Sequence, residues 1–117
     1  LLFHEADVAI HLPGAKHHAQ YDHSSGFCVF NDFALAADIA TKDYGLKVAI
    51  LDIDAHHGDG VQDAFHDEDR VLTVSIHEEG RWPRTGALGD RAGAADSERR
   101  LNAAWQWADT PLTASRF

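Results

Sequence analysis

The residues with the clearest chemical potential follow a short apolar run, where Asp52, Asp54 and His56 stand two positions apart. Residues at this spacing point to the same side of an extended chain, so these three side chains should share one face. Burying two neighbouring carboxylates costs several kcal/mol each unless a cation compensates their charge, and a divalent metal ion is the simplest explanation. The alternative is that the acids end the strand and cap the next turn.

His57 and Asp59 extend this motif by one more imidazole and one more carboxylate. An imidazole can bind a metal through one nitrogen, and a neighbouring carboxylate can orient a second imidazole. For His57, a loop histidine that holds backbone groups is at least as good an interpretation as metal ligation.

The second cluster is the pair His17-His18 in a polar loop further upstream. Hydrolysis of an amide at a metal needs a base that takes a proton from water and an acid that protonates the leaving amine. Two imidazoles can supply both forms near neutral pH when carboxylates shift their pKa values apart. Taken alone, a histidine pair in a loop is more often ordinary surface, so its interpretation depends on the rest of the sequence.

Regular elements must position these residues, and the hydrophobic pattern predicts an α/β fold. The predicted elements are a strand at Asp7–Leu12, a helix at Phe33–Lys42 with Asn31 or Asp32 as its N-cap, a strand at Lys47–Leu51, a short helix at Val61–Phe65 and a strand at Val71–Ile76. The unbroken apolar run at 47–51 is typical of a strand covered on both faces in a parallel sheet. Strand, helix and strand at this spacing predict a βαβ unit.

The last part of the chain has a different composition. Residues 81–93 are rich in Gly and Arg and are predicted to form a loop. Residues 97–109 are predicted to be helical, because apolar residues from Leu101 to Ala108 fall on one stripe.

Composition limits the classes of function. The chain has 117 residues, which suits one domain, and a net charge of −9, which disfavours binding to nucleic acid phosphates. It has no apolar run near the roughly 20 residues of a membrane span and no signal-peptide pattern at its start. Cys28 is its single cysteine, so an internal disulfide is excluded, a cytoplasmic location is expected, and any metal must be held by histidines and carboxylates.

Three motifs occur together and in order. They are Pro13-Gly14-Ala15-Lys16-His17-His18-Ala19, Ser25-Gly26-Phe27-Cys28-Val29-Phe30-Asn31-Asp32 and Leu51-Asp52-Ile53-Asp54-Ala55-His56-His57-Gly58-Asp59-Gly60-Val61-Gln62. As a set they resemble the histone deacetylase family, and within it the bacterial acetoin-utilisation type, over about residues 7–90. The resemblance implies part of a parallel-sheet, three-layer α/β/α domain of the arginase-like kind. Residues 1–117 are then a partial catalytic domain, in which 93–117 have no match.

The resemblance also implies roles for individual residues. Asp54 and His56 match two of three zinc ligands, with ferrous iron as the other possible metal. His18 matches the general base and His17 its electrostatic partner. The carboxylates that hydrogen-bond His17 and His18 are matched by Asp52 and Asp59, respectively.

Further matches concern the substrate channel and alkali metal ions. Gly26 and Phe27 match one channel wall, and Trp82 stands where the opposite aromatic wall is expected. A structural potassium site is matched by Asp52, Asp54, His56, Ser75 and the backbone of Ile76. A second, weaker alkali site is implied at the backbone around Phe65 and Val71.

The implied reaction is zinc-dependent hydrolysis of an acetyl-amine amide, in acetyl-lysine of proteins or in a small acetylated amine. The family's third zinc ligand, an aspartate, and its catalytic tyrosine are expected beyond Phe117, so the chain by itself should be a poor enzyme. Ala15-Lys16 departs from the family pattern and brings a charge near the floor of the site. One alternative is an arginase-like ureohydrolase with two manganese ions, which favours an Asp-Ala-His-x-Asp run. The other is an inactive, truncated metal-binding remnant.

Overall fold

The computed structural model describes residues 5–87 and the backbone of a strand at Arg100–Trp105. In chain order the elements are α1 (Asp32–Lys42), β1 (Val48–Asp52), α2 (Asp59–Ala64), β2 (Val71–Glu78) and β3 (Arg100–Trp105). The strands form one sheet in the order β1-β2-β3, and both pairings are parallel. The predicted βαβ unit is therefore confirmed as β1-α2-β2.

The helix α1 begins and ends where its sequence predicts. Asn31 is the N-cap, and its side-chain oxygen accepts a hydrogen bond of 3.0 Å from the backbone N–H of Ala34. This bond satisfies one of the amide groups that the first helical turn leaves without a partner. Lys42 lies in the last turn, where its positive charge interacts favourably with the negative end of the helix dipole. It also forms an ion pair with Asp38 at 2.6 Å.

A small apolar core joins the two helices to one face of the sheet. Its buried members come from α1, β1, the α2 region and β2, and they are Ala37, Ile50, Val61, Phe65 and Val71. Burying a Val, Ile or Phe side chain stabilises a fold by about 1.5–3 kcal/mol. This core fixes the ends of β1 and the start of α2 relative to one another.

The prediction that β1 is covered on both faces is wrong for the described residues. Ile50 is buried, whereas its neighbour Leu51 is 63% exposed. Side chains alternate between the faces of a strand, and in this part of the chain both helices pack on the Ile50 face.

Two further elements differ from their predictions. Residues 7–12 have no strand: the segment is irregular between a bend at Asp7 and a turn at Leu12, with Ile10 and Leu12 exposed at 83% and 91%. A strand is stable only when it is paired, and nothing in the region 5–87 pairs with this segment. Within the predicted helix at 97–109, Arg100–Trp105 forms β3, and the rest of that prediction lies outside the described residues.

The error at β3 has a physical cause. A short apolar stretch fits a helical stripe and a buried strand equally well, so periodicity does not separate the two. The edge of β2 from Thr73 to Glu78 offers backbone donors and acceptors, and Arg100–Trp105 pairs with it residue for residue.

None of the helices in the described part of the chain combines the length and the apolarity that crossing a bilayer requires.

Candidate active site

The site begins at the carboxyl end of β1, where the chain turns sharply. The side chain of Asp52 accepts a hydrogen bond of 2.9 Å from the backbone N–H of Asp54. Asp54 in turn accepts one of 2.7 Å from the backbone N–H of His56. Such bonds from a side chain to the backbone two residues on are typical of Asx turns. The chain is thus no longer extended after Asp52, and these turns, rather than strand alternation, place the three side chains.

Asp52 forms a buried pair with the first histidine of the tandem. Its Oδ2 lies 2.6 Å from Nδ1 of His17, and the two side chains are 11% and 7% exposed. Burial lowers the pKa of His17, but the hydrogen bond and negative charge of Asp52 outweigh it. The charges of Asp54 and Asp59 act in the same direction, so the pKa of His17 lies above its ordinary value of 6.5. His17 is therefore biased towards its protonated form.

His18 makes the equivalent pair with Asp59, in the first turn of α2. Nδ1 of His18 lies 2.7 Å from Oδ1 of Asp59, with side chains 6% and 14% exposed, and Gln20 donates to Oδ2 at 3.3 Å. A carboxylate only accepts hydrogen bonds, so Nδ1 of His18 carries the hydrogen. In neutral His18 the other nitrogen, Nε2, is then the one that can accept a proton.

Both pairings that the resemblance implies are thus present. The rings of His17 and His18 are 3.9 Å apart between centroids and inclined by 50°. His18 lies 6.1 Å from the ring of His56, so the tandem histidines stand beside the turn that follows β1.

The loop that carries the tandem histidines is fixed by the start of α1. The carboxylate of Asp32 accepts the backbone N–H groups of Ala15, at 2.9 Å, and of Lys16, at 2.7 Å. Ala15 has a φ of 62°, a conformation that costs energy for a residue with a Cβ. Two charge-assisted hydrogen bonds offset this cost, and Asp32 is a positioning residue that the sequence analysis treated only as a possible N-cap.

The other side of the loop rests on α2. The backbone N–H of Val61 in α2 donates a hydrogen bond of 3.2 Å to the backbone carbonyl of His17. The side chain of Asn31, the N-cap of α1, donates one of 3.1 Å to the backbone carbonyl of Ala19. A Cβ on Gly60 would overlap the carbonyl of Ala19. Only glycine at this position allows helix and loop to approach so closely.

Asp54 and His56, the predicted zinc ligands, lie together but in a more open setting. Oδ1 of Asp54 is 2.9 Å from Nδ1 of His56, and the side chains are 50% and 38% exposed. Burial raises the pKa of Asp54, but hydrogen bonds from the backbone and ring of His56 outweigh it and lower the pKa. The carboxylate is therefore available in its charged form.

One carboxylate oxygen and one imidazole nitrogen suit zinc or ferrous iron. Between residues 5 and 87 no group of three or more His, Cys, Asp or Glu side chains is arranged to hold a metal ion. The pair therefore fits as two ligands of a larger set, and its role as a metal site stays a prediction.

The predicted alkali sites also stay predictions. Asp52 and Ser75 are register partners on β1 and β2, and Ser75 is buried with its hydroxyl oxygen 2.8 Å from Nδ1 of His77. Ile76 follows on β2. At the weaker site, the Phe65 carbonyl accepts the N–H of Glu68, and Val71 donates to the Glu68 carbonyl.

Two of the three predicted channel residues meet at His18. The ring of Trp82 lies 4.7 Å from that of His18 at 70°, and a Cβ on Gly26 would come within 2.6 Å of both rings. Gly26 also has a φ of 53°. Glycine is therefore required here both by the backbone conformation and by the close approach of the two rings. Phe27 differs: its side chain is fully exposed, at 105%, so the described residues do not pack against it.

His57 is a structural histidine in this arrangement. It is buried, with Nδ1 2.7 Å from the hydroxyl of Thr85 and Nε2 3.1 Å from Oε1 of Gln62. Both ring nitrogens are engaged by protein groups, which favours the interpretation of a loop histidine over that of a metal ligand. Its neighbour His77, which the sequence analysis did not single out, is also buried.

Comparisons with known proteins agree with one another. The sequence profile described as the histone deacetylase domain matches residues 2–112, a range that continues past the motifs recognised in the sequence. The chain is 47% identical over 83 residues to the acetoin utilization protein AcuC of Staphylococcus aureus, covering 69% of this chain and 21% of that protein. It is 47% identical over 87 residues to histone deacetylase 1 of Homo sapiens, covering 74% of this chain and 18% of that protein.

Solved structures give the same result. An HDAC homolog from Aquifex aeolicus matches with a TM-score of 0.75 and 32% identity, covering 80% of this chain and 26% of that one. An HDAC homolog complexed with SAHA matches with a TM-score of 0.74 and 33% identity, covering 79% and 26%. These neighbours confirm the predicted fold class, part of a parallel-sheet deacetylase domain. The chain spans about a fifth of the length of its curated relatives.

Proposed function

The chain belongs to the histone deacetylase family, and we propose that it supplies the acid–base part and two metal ligands of a zinc-dependent deacetylase. The reaction is hydrolysis of the amide between an acetyl group and an amine. The observation that carries this proposal is the juxtaposition of two buried His–Asp pairs with a third, exposed pair at the end of one strand.

Asp54 and His56 would hold the metal, zinc in the first instance and ferrous iron as the alternative. When bound, such an ion polarises the amide carbonyl and lowers the pKa of the attacking water. Asp52 and Ser75 would help to hold a potassium ion, which would add positive charge at this end of the strands.

His18 acts as the general base. Asp59 holds the hydrogen on Nδ1, so Nε2 takes the proton from water as it attacks the amide carbon. The same nitrogen then returns a proton to the leaving amine, as the C–N bond breaks to give acetate and free amine. Asp59 stabilises the imidazolium that exists between these two steps.

His17 supplies positive charge rather than a proton. Its raised pKa keeps it protonated over a wider pH range than an ordinary histidine, and its ring is 3.9 Å from that of His18. A fixed positive charge in a buried site stabilises the negative charge that develops on the amide oxygen. Asp52 maintains this state through the hydrogen bond at Nδ1.

Gly26 and Trp82 both lie against the ring of His18, which places two of the predicted channel residues beside the proposed general base. The proposed substrate, an acetylated lysine or a small acetylated amine, is the one that membership of the family suggests. Support for a deacetylase over an arginase-like ureohydrolase comes from Asp59. A binuclear manganese site uses the acid that follows the Asp-Ala-His motif, whereas here Asp59 contacts His18 and Gln20.

The test is a chimera in which this chain replaces its matched segment in a relative that releases acetate in the assay used. We expect acetate release from an acetyl-lysine peptide or from an acetylated diamine, abolished by a chelator and restored by zinc. A folded, metal-containing chimera that releases no acetate would contradict the proposal. Release of urea from arginine would support the ureohydrolase instead.

A further inference from the structure

Two buried imidazoles, one from β2 and one from the turn before α2, lie against the segment that carries Trp82. His57 and His77 are 3% and 2% exposed, and their ring centroids are 4.8 Å apart at an angle of 54°. The proposed mechanism uses neither of them. Burying a polar ring costs free energy unless its nitrogens are hydrogen-bonded, so their partners indicate what they do.

His77 ties this segment to the sheet. Its Nε2 lies 3.0 Å from the backbone oxygen of Gly86, and its Nδ1 lies 2.8 Å from the hydroxyl of Ser75. A carbonyl only accepts, so Nε2 carries the hydrogen and donates to Gly86. In neutral His77, Nδ1 then accepts from the Ser75 hydroxyl, which completes a directed chain from β2 to Gly86.

His57 ties the same segment to α2. Its Nδ1 contacts the hydroxyl of Thr85 at 2.7 Å, and its Nε2 contacts Gln62 of α2 at 3.1 Å. Gly86 has a φ of 76°, and a Cβ there would overlap the His57 ring. Thr85 and Gly86 are therefore held from two sides by two imidazoles that also contact each other.

This attachment reaches Trp82 through a tight turn. The backbone N–H of Arg84 donates to the carbonyl of Arg81 at 2.8 Å, which closes a turn around Trp82. A closed turn leaves little freedom between Trp82 and the anchored Thr85. Trp82 in turn contacts the proposed active site: the centroid of its ring lies 4.7 Å from that of His18 and 6.3 Å from that of His56.

We propose that His57 and His77 are positioning residues that hold Trp82 against the general base His18. An apolar side chain could fill the same space without needing partners, so what the imidazoles add is the direction of their hydrogen bonds. They act through residues 81–86 and do not themselves touch the substrate. The consequence for turnover rests on the proposed function, but the positioning itself does not.

The test uses the full chain with Trp105 and Trp107 replaced by Phe, so that Trp82 is the only source of indole fluorescence. An imidazole in contact quenches indole emission, and His18→Ala gives the unquenched level. We expect His57→Ala and His77→Leu to raise the emission towards that level and to lower its anisotropy. Thr85→Val should do so too, and it removes one hydroxyl from a residue that is otherwise exposed, so it tests the idea even if a core variant fails to fold.

Two matched variants separate positioning from space filling. In His77→Gln the side-chain amide can still donate to Gly86, so this variant should stay near the wild-type emission, unlike His77→Leu. His23→Ala removes an imidazole that is 64% exposed and should change nothing. Equal emission from His77→Leu and His77→Gln, or wild-type emission from Thr85→Val, would overturn the proposal.

In the acetate-releasing chimera, His77→Leu should lower kcat at least tenfold and His77→Gln should recover most of the loss. A wild-type chimera without activity would contradict the proposed function and leave the fluorescence result standing. Altered emission with unchanged kcat would overturn the link between Trp82 and catalysis.

Discussion

The three His–Asp pairs of this site differ in how the fold holds them. The pairs of His17 and His18 join residues 35 and 41 positions apart, and all four side chains are at most 14% exposed. The pair of Asp54 and His56 is local, two positions apart, and at least 38% exposed. The two pairs with a proposed acid–base role are therefore assembled by tertiary structure, whereas the pair proposed to bind the metal is assembled by one turn.

This difference has a functional meaning. A general base needs a fixed tautomer and a fixed position, which buried carboxylates from two elements provide. A metal ligand gains its final geometry from the metal and from the other ligands, so a local and open pair is sufficient before the ion binds. Substitutions in the two groups should consequently fail in different ways.

The largest expected effect is on turnover. In the acetate-releasing chimera, His18→Ala should lower kcat by at least about 10²-fold, since general acid–base catalysis typically contributes 10²–10⁴. Zinc content, measured by elemental analysis, should stay close to the wild-type value. His23→Ala is the control, because His23 also pairs with a neighbouring aspartate but is exposed. Retained turnover in His18→Ala would move the base elsewhere.

The next largest effect is on metal binding. Asp54→Ala should weaken zinc binding by the chain at least about tenfold, as expected when a direct ligand is lost. Asp59→Ala should leave zinc binding within a few-fold of wild type, because its carboxylate contacts His18. Isothermal titration with zinc measures both. Equal losses in the two variants would mean that Asp54 and Asp59 do not differ in their role towards the metal. The distinction between the exposed Asp54–His56 pair and the buried His18–Asp59 pair would then be wrong.

The sequence predicted the parts of this arrangement that depend on local signals. The N-cap at Asn31 and the ending near Lys42 fix α1, and two short apolar runs with a helix between them fix β1-α2-β2. Both His–Asp pairings followed from the resemblance to the family, because no local rule connects residues 35 or 41 positions apart.

What the sequence did not predict depends on partners distant in the chain. Asp32 binds amides 16 and 17 positions upstream, and His57 meets Thr85 28 positions downstream. The strand β3 exists because β2 offers it an edge, and residues 7–12 lack such an edge in the region 5–87. These outcomes are set by tertiary pairing, which overrides local pattern.

A third expected effect concerns the pKa of His17. Asp52→Asn removes the negative charge and weakens the hydrogen bond at Nδ1 but leaves the ring buried, so the pKa of His17 should fall from above 6.5 to below it. An NMR titration of the imidazole in metal-free chain measures this shift. An unchanged pKa would mean that Asp54 and Asp59, rather than Asp52, control His17.

Stability should follow the same titration. A pKa raised in the folded state means that the fold binds the proton more tightly than the unfolded chain. The resulting stabilisation is fully present below about pH 6.5 and is lost as the pH rises through the folded pKa of His17. The difference in unfolding free energy between wild type and Asp52→Asn, from urea melts, should therefore shrink over that interval.

The smallest expected effect comes from the partly exposed ion pair of Glu68 and Arg70, which is not part of the site. Hydrogen bonds and charge from Arg70 lower the pKa of Glu68 to about 2. The side chain of Glu68 is nevertheless 26% exposed and that of Arg70 39% exposed. Solvent screens such a pair, so Glu68→Gln should cost only about 0.2–1 kcal/mol at pH 7 despite the low pKa. Because the folded pKa is depressed, this stabilisation is present above about pH 4.5 and is lost as the pH falls towards 2.

Glu79→Gln removes the same charge from an exposed position and serves as the control in urea melts at pH 7 and pH 3. A loss above about 3 kcal/mol would equal the cost of breaking a buried pair, and burial would then no longer distinguish the His17 and His18 pairs energetically from this partly exposed pair.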